Sequence, residues 1–223
     1  MRPVSQLSLF SAGARPPRLG DLAGLLCGPG QVVRFGTGDT ARLSIVLPDP
    51  ARAPAVVAVC TAVGVAAETV RTESGATAVR TAFRRDLVEL ARAWVGGTRP
   101  GPIAEQEADN ALPRSRPSES GAVKTVPAGM QLDGAVLRVW FLAAGRRDGR
   151  GVELLLDPHA PQTHLPLVAA ATRAGLPPAW STRTPALRIA GARRVRRLVE
   201  LVGPRPPGVP PDEWPGDGGG MSG

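Results

Sequence analysis

The sequence contains two copies of one pattern, and this internal repeat restricts the possible folds more than any other feature. The segment "LAGLLCGPG" at residues 22–30 matches "LRVWFLAAG" at residues 137–145, and "RRDLVEL" at residues 84–90 matches "VRRLVEL" at residues 195–201. Between these segments, each copy has an Asp-Pro pair, an Ala/Val-rich stretch and a Thr-x-x-Gly ending. The matching segments stay about 111 to 115 residues apart, a register that unrelated helices would rarely keep. The chain is therefore expected to form two similar structural units.

Each copy predicts the same order of helices and strands. An apolar helix ends at Gly30 or Gly145, two strands follow, and a second helix begins near Asp49 or Asp157, where an acid favours a helix start. In residues 41–47, "ARLSIVL", apolar and polar side chains alternate as in a half-buried strand. Two more strands and a final amphipathic helix complete the copy. The predicted fold class is α+β, with two αββαββα repeats and antiparallel sheets.

Changes in composition set the expected domain boundaries. Residues 1–18 form a Pro/Arg-containing leader, residues 19–97 the first repeat and residues 128–205 the second repeat. Residues 98–127 read as a polar linker and residues 206–223 as a Pro/Gly-rich tail. Segments of this composition cannot bury enough apolar surface to offset chain entropy, so the leader, linker and tail are predicted to be disordered.

The charge of the chain favours a polyanionic partner. Lys and Arg together number 27 against 19 Asp and Glu, a formal net charge of +8, and Lys124 is the only lysine. Arginine binds phosphate in a bidentate manner, so an excess carried by arginine indicates nucleic acid. A GC-rich genome would also explain the choice of Arg over Lys, but it would not explain the excess over acid.

Several other function classes lack their sequence signals. Cys27 and Cys60 form no C-x-x-C pair and are expected to be buried thiols. No cofactor or metal motif is recognisable, no apolar run approaches the ~20 residues of a membrane span, and no secretory signal stands at the start. We therefore expect a cytoplasmic protein that requires no cofactor.

The repeat order and the segment "LAGLLCGPG" resemble the LAGLIDADG homing-endonuclease fold. The resemblance implies that the two repeats pack through their first helices and that two four-stranded sheets form a saddle over duplex DNA. In that family the catalytic acid precedes the last glycine of the motif, where this chain has Pro29 and Ala144. Nuclease activity is therefore not expected, although an enzyme using Asp148 and Asp39 stays an alternative. The pattern is closer to the WhiA regulators, whose related domain also lacks these acids.

Arginines on the non-core face of the predicted strands, together with two that directly follow the second motif helix, Arg146 and Arg147, are the candidate DNA contacts. They are Arg34, Arg42, Arg71 and Arg80 in the first repeat and Arg146, Arg147, Arg150, Arg183 and Arg188 in the second. Contacts of this kind give affinity and salt dependence rather than sequence choice. The alternative is a solvated polar face, which antiparallel sheets often have; the chain would then be a protein-interaction module without DNA binding.

The leader contains a short motif of its own. Gln6, Leu7, Ser8, Leu9 and Phe10 resemble the motif by which bacterial replication and repair proteins bind the sliding clamp, the β subunit of DNA polymerase III. The resemblance implies that the glutamine enters a polar subsite and that the Leu-Phe pair fills an apolar pocket. The alternative is a short edge strand packed on the first repeat.

Together these features predict a non-catalytic DNA-binding accessory protein of bacterial replication or repair. It would be a nucleoid-associated monomer, tethered to the sliding clamp and bound to duplex or branched DNA.

Overall fold

The computed structural model describes residues 11–35, 38–98, 122–149, 151–181 and 184–216. The clamp-like motif at residues 6–10 and the candidate contacts Arg150 and Arg183 lie outside these ranges.

The first repeat has the predicted αββαββα order. Its helices are α1 (Ala23–Cys27), α2 (Ala53–Ala62) and α3 (Val88–Trp94), and its strands are β1 (Gln31–Phe35), β2 (Thr40–Val46), β3 (Ala67–Arg71) and β4 (Thr77–Thr81). The strands form an antiparallel sheet in the order β1-β2-β4-β3. Strands β5 (Val95–Thr98) and β6 (Ala122–Lys124) then pair with each other as a two-stranded ribbon.

The second repeat has the same order and the same sheet topology. Its helices are α4 (Gly134–Ala144), α5 (His164–Arg173) and α6 (Ala192–Val202), and its strands are β7 (Gly145–Asp148), β8 (Gly151–Leu155), β9 (Ala179–Ser181) and β10 (Ala186–Ile189). The sheet order β7-β8-β10-β9 repeats that of the first sheet strand for strand. The two-repeat α+β prediction is confirmed.

Helices α1 and α4 join the repeats by packing closely against each other. A Cβ atom on Gly24 would lie only 2.4 Å from the carbonyl oxygen of Val136, so the helices can approach this closely only because Gly24 has no side chain. At the ends of the helices, a Cβ on Gly28 would lie 3.0 Å from the Cβ of Ala144. The C-terminal ends of α1 and α4 therefore meet near the centre of the molecule.

A single apolar core extends through both repeats. Large side chains expected to be internal are fully buried there, among them Trp94, Trp140 and Phe141, and both cysteines are buried thiols as predicted. On β2, Leu43 and Ile45 point into this core, as the alternating pattern requires. Within the described ranges, no helix has the length and apolar character needed to cross a membrane.

Three segments predicted to be disordered contribute residues to the fold. In the leader, Ser11 is buried and the backbone N–H of Ala12 donates to the carbonyl of Leu201, 2.8 Å away. The end of the linker forms β6, and in the tail Trp214 is 1% exposed and packs edge-on against Phe141. These parts of the disorder prediction were wrong because composition alone does not reveal one anchoring side chain within a Pro- and Gly-rich segment.

Candidate nucleic-acid interface

Each four-stranded sheet has one face covered by helices and one open face. In the first sheet, the register aligns Gln31, Ser44, Arg80 and Glu68 across the four strands, on the face opposite Leu43 and the core. In the second sheet, the matching row is Arg146, Glu153, Arg188 and Ala179. The corresponding open faces are the surfaces that the sequence analysis assigned to DNA.

Two of the predicted arginines lie on the open face of the first sheet. Arg80 forms an ion pair with Glu68 at 3.0 Å, with the Arg80 side chain partly exposed and that of Glu68 largely exposed. The guanidinium carbon of Arg42 lies 4.6 Å from the ring centre of Phe83, a cation–π contact. Among the described residues, no carboxylate lies within ion-pair distance of Arg42. Its guanidinium can therefore contact a phosphate without first breaking an ion pair.

The open face of the second sheet carries arginines that are already paired with acids. Arg146 donates from Nε to Glu153 at 2.8 Å, and the carboxylate of Glu153 is nearly buried. Arg188 pairs with Asp148, and this ion pair raises the pKa of the guanidinium. A phosphate approaching this face would compete with the two carboxylates.

Three predicted contacts lie on the other side of their strands. Arg34 is opposite Ala41, Arg71 is opposite Thr77 and Arg147 is opposite Val152, and these partners belong to the helix-covered faces. All three arginines are on edge strands, where the covering helices leave side chains access to solvent. Placing Arg34 and Arg71 on the non-core face was wrong: in β1 the residues on the open face are the apolar Val33 and Phe35, and in β3 Arg71 shares the side of Thr77.

A buried lysine donates hydrogen bonds to backbone carbonyls just after the C-terminal end of α1. The Nζ atom of Lys124 donates to the carbonyls of Gly28 and Gly30, both at 2.7 Å, and to the carboxylate of Asp157 at 2.9 Å. Asp157 also accepts from the side chain of Gln31 at 2.6 Å. Burial lowers the pKa of Lys124, and its hydrogen bond to the carboxylate of Asp157 acts against that shift. A cation is favoured here because the last carbonyls of a helix are negatively polarised.

A buried arginine occupies the equivalent place at the end of α4. Nη1 of Arg52 donates to the carbonyls of Gly145 at 2.6 Å and Phe141 at 3.1 Å, with a longer contact to Leu142. Its Nε donates to Glu213 at 3.0 Å. The side chain is only 6% exposed.

The two cations therefore stand where the resemblance to homing endonucleases leads one to expect acids. Lys124 binds the carbonyls on both sides of Pro29, and Arg52 binds carbonyls on both sides of Ala144. In the described part of the chain, no group of three or more His, Cys, Asp or Glu side chains could hold a metal ion. Of the two acids in the enzyme alternative, Asp148 forms an ion pair with Arg188. Asp39 lies in the other repeat, in the turn before β2.

Sequence reasoning missed both cations. Lys124 falls in the segment assigned to the linker, and Arg52 sits in a Pro/Ala-rich helix start. The one available signal is the uniqueness of Lys124 in a chain that otherwise uses arginine for its basic side chains. A site where an ammonium donates to three oxygens around it suits lysine, whose three donors are not confined to a plane.

No protein-family model matches the chain, and no curated protein matches it in sequence. Among solved structures, the homing endonuclease I-WcaI bound to its DNA recognition sequence is similar, with a TM-score of 0.50 and 11% sequence identity. The match covers 82% of this chain and 79% of that one. At this identity the likeness concerns the fold alone. The chain thus has the two-repeat fold of the LAGLIDADG homing endonucleases.

Proposed function

We propose that this protein binds DNA through the open faces of its two sheets and does not cut it. The supporting observation is that arginines of both repeats lie on those faces, in a fold that a homing endonuclease uses in its complex with DNA. The net charge of +8 adds a long-range attraction to phosphate. Because the arginines contact phosphates rather than base edges, we expect weak sequence preference and strong salt dependence.

The proposed lack of cleavage rests on Lys124 and Arg52. Metal-assisted phosphodiester cleavage needs carboxylates to hold the cation between the attacking and leaving oxygens. Just after the ends of α1 and α4, two positive side chains instead donate to the backbone carbonyls. Their charge opposes binding of a divalent cation at this point.

DNA binding is tested by fluorescence anisotropy with labelled duplexes of two unrelated sequences over a range of salt concentrations. Arg42→Gln should weaken binding to both duplexes equally and reduce the salt slope by about 1, the contribution of one phosphate contact. Arg92→Gln is the matched control, because Arg92 is an exposed arginine on α3 that pairs with Glu89. If the unmodified protein binds neither duplex at low salt, the interaction-module alternative replaces this proposal.

Cleavage is tested by incubating supercoiled plasmid with the protein and Mg²⁺. We expect no nicking. Nicking that disappears in Asp148→Asn would instead support the endonuclease alternative.

We also propose that residues 6–10 tether the protein to the bacterial sliding clamp. Burying Leu9 and Phe10 in an apolar pocket would supply ~3–6 kcal/mol before ordering costs, so the motif alone would bind weakly. Simultaneous DNA binding would strengthen the tether by raising the effective concentration. Such a tether would assign the protein to replication or repair.

The clamp proposal is tested with purified sliding clamp and the full chain. The double variant Leu9→Ala/Phe10→Ala should lose binding, whereas Leu165→Ala should retain it, since Leu165 is a 77% exposed leucine elsewhere on the surface. Equal binding by both variants would remove the clamp from the proposal and leave DNA binding unaffected.

A further inference from the structure

Exposed apolar side chains are concentrated on the open face of the first sheet. Val33, Phe35 and Val46 lie on that face and are 47%, 58% and 47% exposed. Phe83 follows β4 and is 38% exposed; its ring contacts both Phe35 and Arg42 and therefore lies over the same face. Several exposed apolar side chains on one sheet face indicate a binding surface rather than a face that contacts only solvent.

The two phenylalanine rings form an aromatic platform beside positive charge. The centres of Phe35 and Phe83 are 5.2 Å apart, with their planes inclined by 44°. The guanidinium of Arg42 lies over Phe83 and fixes that ring, whereas the ring of Phe35 is the more exposed of the two. Arg80 lies on the same face, where it forms an ion pair with Glu68, so Arg42 is the basic side chain that the platform itself contributes.

We infer that this platform, formed by Phe35, Phe83 and Arg42, binds unpaired bases of single-stranded DNA; the inference rests on the proposed DNA binding and names the form of DNA. Proteins that hold single strands combine aromatic rings, on which bases stack, with basic side chains that contact the phosphates. In a blunt duplex the faces of the bases are covered by their neighbours. Apart from the outer face of each terminal pair, only unpaired nucleotides offer the flat surface that an exposed phenylalanine fits.

The second sheet does not share this feature. Its open face presents Arg146 and Arg188, each paired with an acid, and no aromatic ring lies in the described rows of that face. The two halves of the interface therefore differ in chemistry: the first offers rings for stacking, whereas the second offers only arginines, which would contact phosphates by exchanging their carboxylate partners. DNA in which a duplex continues into a single strand presents both chemistries.

A peptide is the other occupant that an apolar face could take. The observations favour DNA, because the guanidinium of Arg42 lies directly against Phe83 and because the chain as a whole is strongly basic.

The test compares three labelled ligands with the full chain: a single strand, a blunt duplex, and that duplex with a single-stranded overhang. Phe35→Leu keeps an apolar side chain but removes the aromatic face. It should weaken binding to the single strand and to the overhang about tenfold, the effect of losing one stacked base. Binding to the blunt duplex should stay the same. Val46→Ala is the control, because it removes exposed apolar surface from the same face without removing a ring.

Each other outcome overturns the inference in a distinguishable way. If Phe35→Leu leaves single-strand binding unchanged while the blunt duplex still binds, the platform fails and the proposed function stands. Equal weakening for all three ligands would make Phe35 a packing residue. If Phe35→Leu loses binding to purified sliding clamp while its binding to the single strand is unchanged, the face binds a protein. If none of the ligands binds the unmodified protein, the proposed function fails together with the inference.

Discussion

Replacing Arg52 with methionine should destabilise the protein strongly, although Arg52 lies far in sequence from α4, the helix whose C-terminal end it binds. Methionine fills a similar volume but cannot donate to the carbonyls at the end of α4. The change removes the Nη1 donor from the carbonyl of Gly145 at 2.6 Å, and leaves the carbonyl of Phe141, at 3.1 Å, with the backbone N–H of Gly145. It also removes the cation that faces Glu213.

The expected loss follows from those contacts. Hydrogen bonds to a charged group contribute about 1.5–3 kcal/mol each, and removing one partner of a buried ion pair costs about 3–5 kcal/mol. The contacts overlap, so we expect the free energy of unfolding to fall by about 3–5 kcal/mol. Total stabilities are about 5–15 kcal/mol, so this is a large fraction of the whole. With a denaturant slope of about 2 kcal/mol/M, the urea midpoint would fall by roughly 2 M.

Urea unfolding followed by circular dichroism measures this change. Arg52→Lys should recover part of the loss, because an ammonium keeps the charge but lacks the guanidinium fork. Arg92→Met is the control, since Arg92 and Glu89 are exposed and such pairs contribute about 0.2–1 kcal/mol. If Arg52→Met and Arg92→Met shift the midpoint equally, water must satisfy the α4 carbonyls and the reasoning fails.

Three further predictions concern the core. Gly24→Ala should destabilise the protein by about 3 kcal/mol, because the new Cβ would lie 2.4 Å from a carbonyl oxygen of α4. Trp214→Ala should cost ~3–5 kcal/mol by opening a cavity where the tail packs on Phe141. Urea unfolding measures both. The third concerns the thiols: burial raises the pKa of Cys60 to about 11 and also raises the pKa of Cys27. At pH 8 neither cysteine should react with a disulfide reagent until the protein unfolds. The Cys60 thiol should also contribute stability below pH 9.0 that is lost as pH rises through about 11.

Controls separate these predictions from general sensitivity to mutation. Gly20→Ala should be neutral or slightly stabilising, because no atom lies within 4 Å of the added Cβ. Little effect of Gly24→Ala would mean that α1 and α4 can move apart at low energy. A near-neutral Trp214→Ala would show that the tail is not part of the cooperative fold. Thiol reaction at pH 8 at a rate independent of urea would indicate local opening around the cysteines.

Local sequence patterns predicted most of the fold. The alternation around Leu43 and Ile45 identified β2 and its buried face, and Gly145 marked the end of α4, whereas α1 ends at Cys27, before the predicted Gly30. These features depend on side chains close together in the chain. The matching register of the copies then predicted the same order of helices and strands in the second repeat as in the first.

The contacts that distinguish the candidate site could not be predicted in the same way. Lys124 meets Gly30 across 94 positions and Arg52 meets Gly145 across 93, and no local pattern encodes such a meeting. The reversed positions of Arg34 and Phe35 had a different cause. Apolar residues were expected to face the core, but β1 is an edge strand whose outward face carries valine and phenylalanine. That exception is the basis of the inferred base-stacking platform.

The paired cations at the helix ends also limit how this scaffold could be converted into a nuclease. Aspartates introduced at Pro29 and Ala144 would be adjacent to carbonyls already held by Lys124 and Arg52. Each new acid would be drawn to its neighbouring cation and would lose much of its affinity for Mg²⁺. Replacing the cations first would expose the helix carbonyls and destabilise the fold. A route to cleavage therefore needs coordinated changes at four positions, and each single step along it carries a penalty in stability or gives no activity.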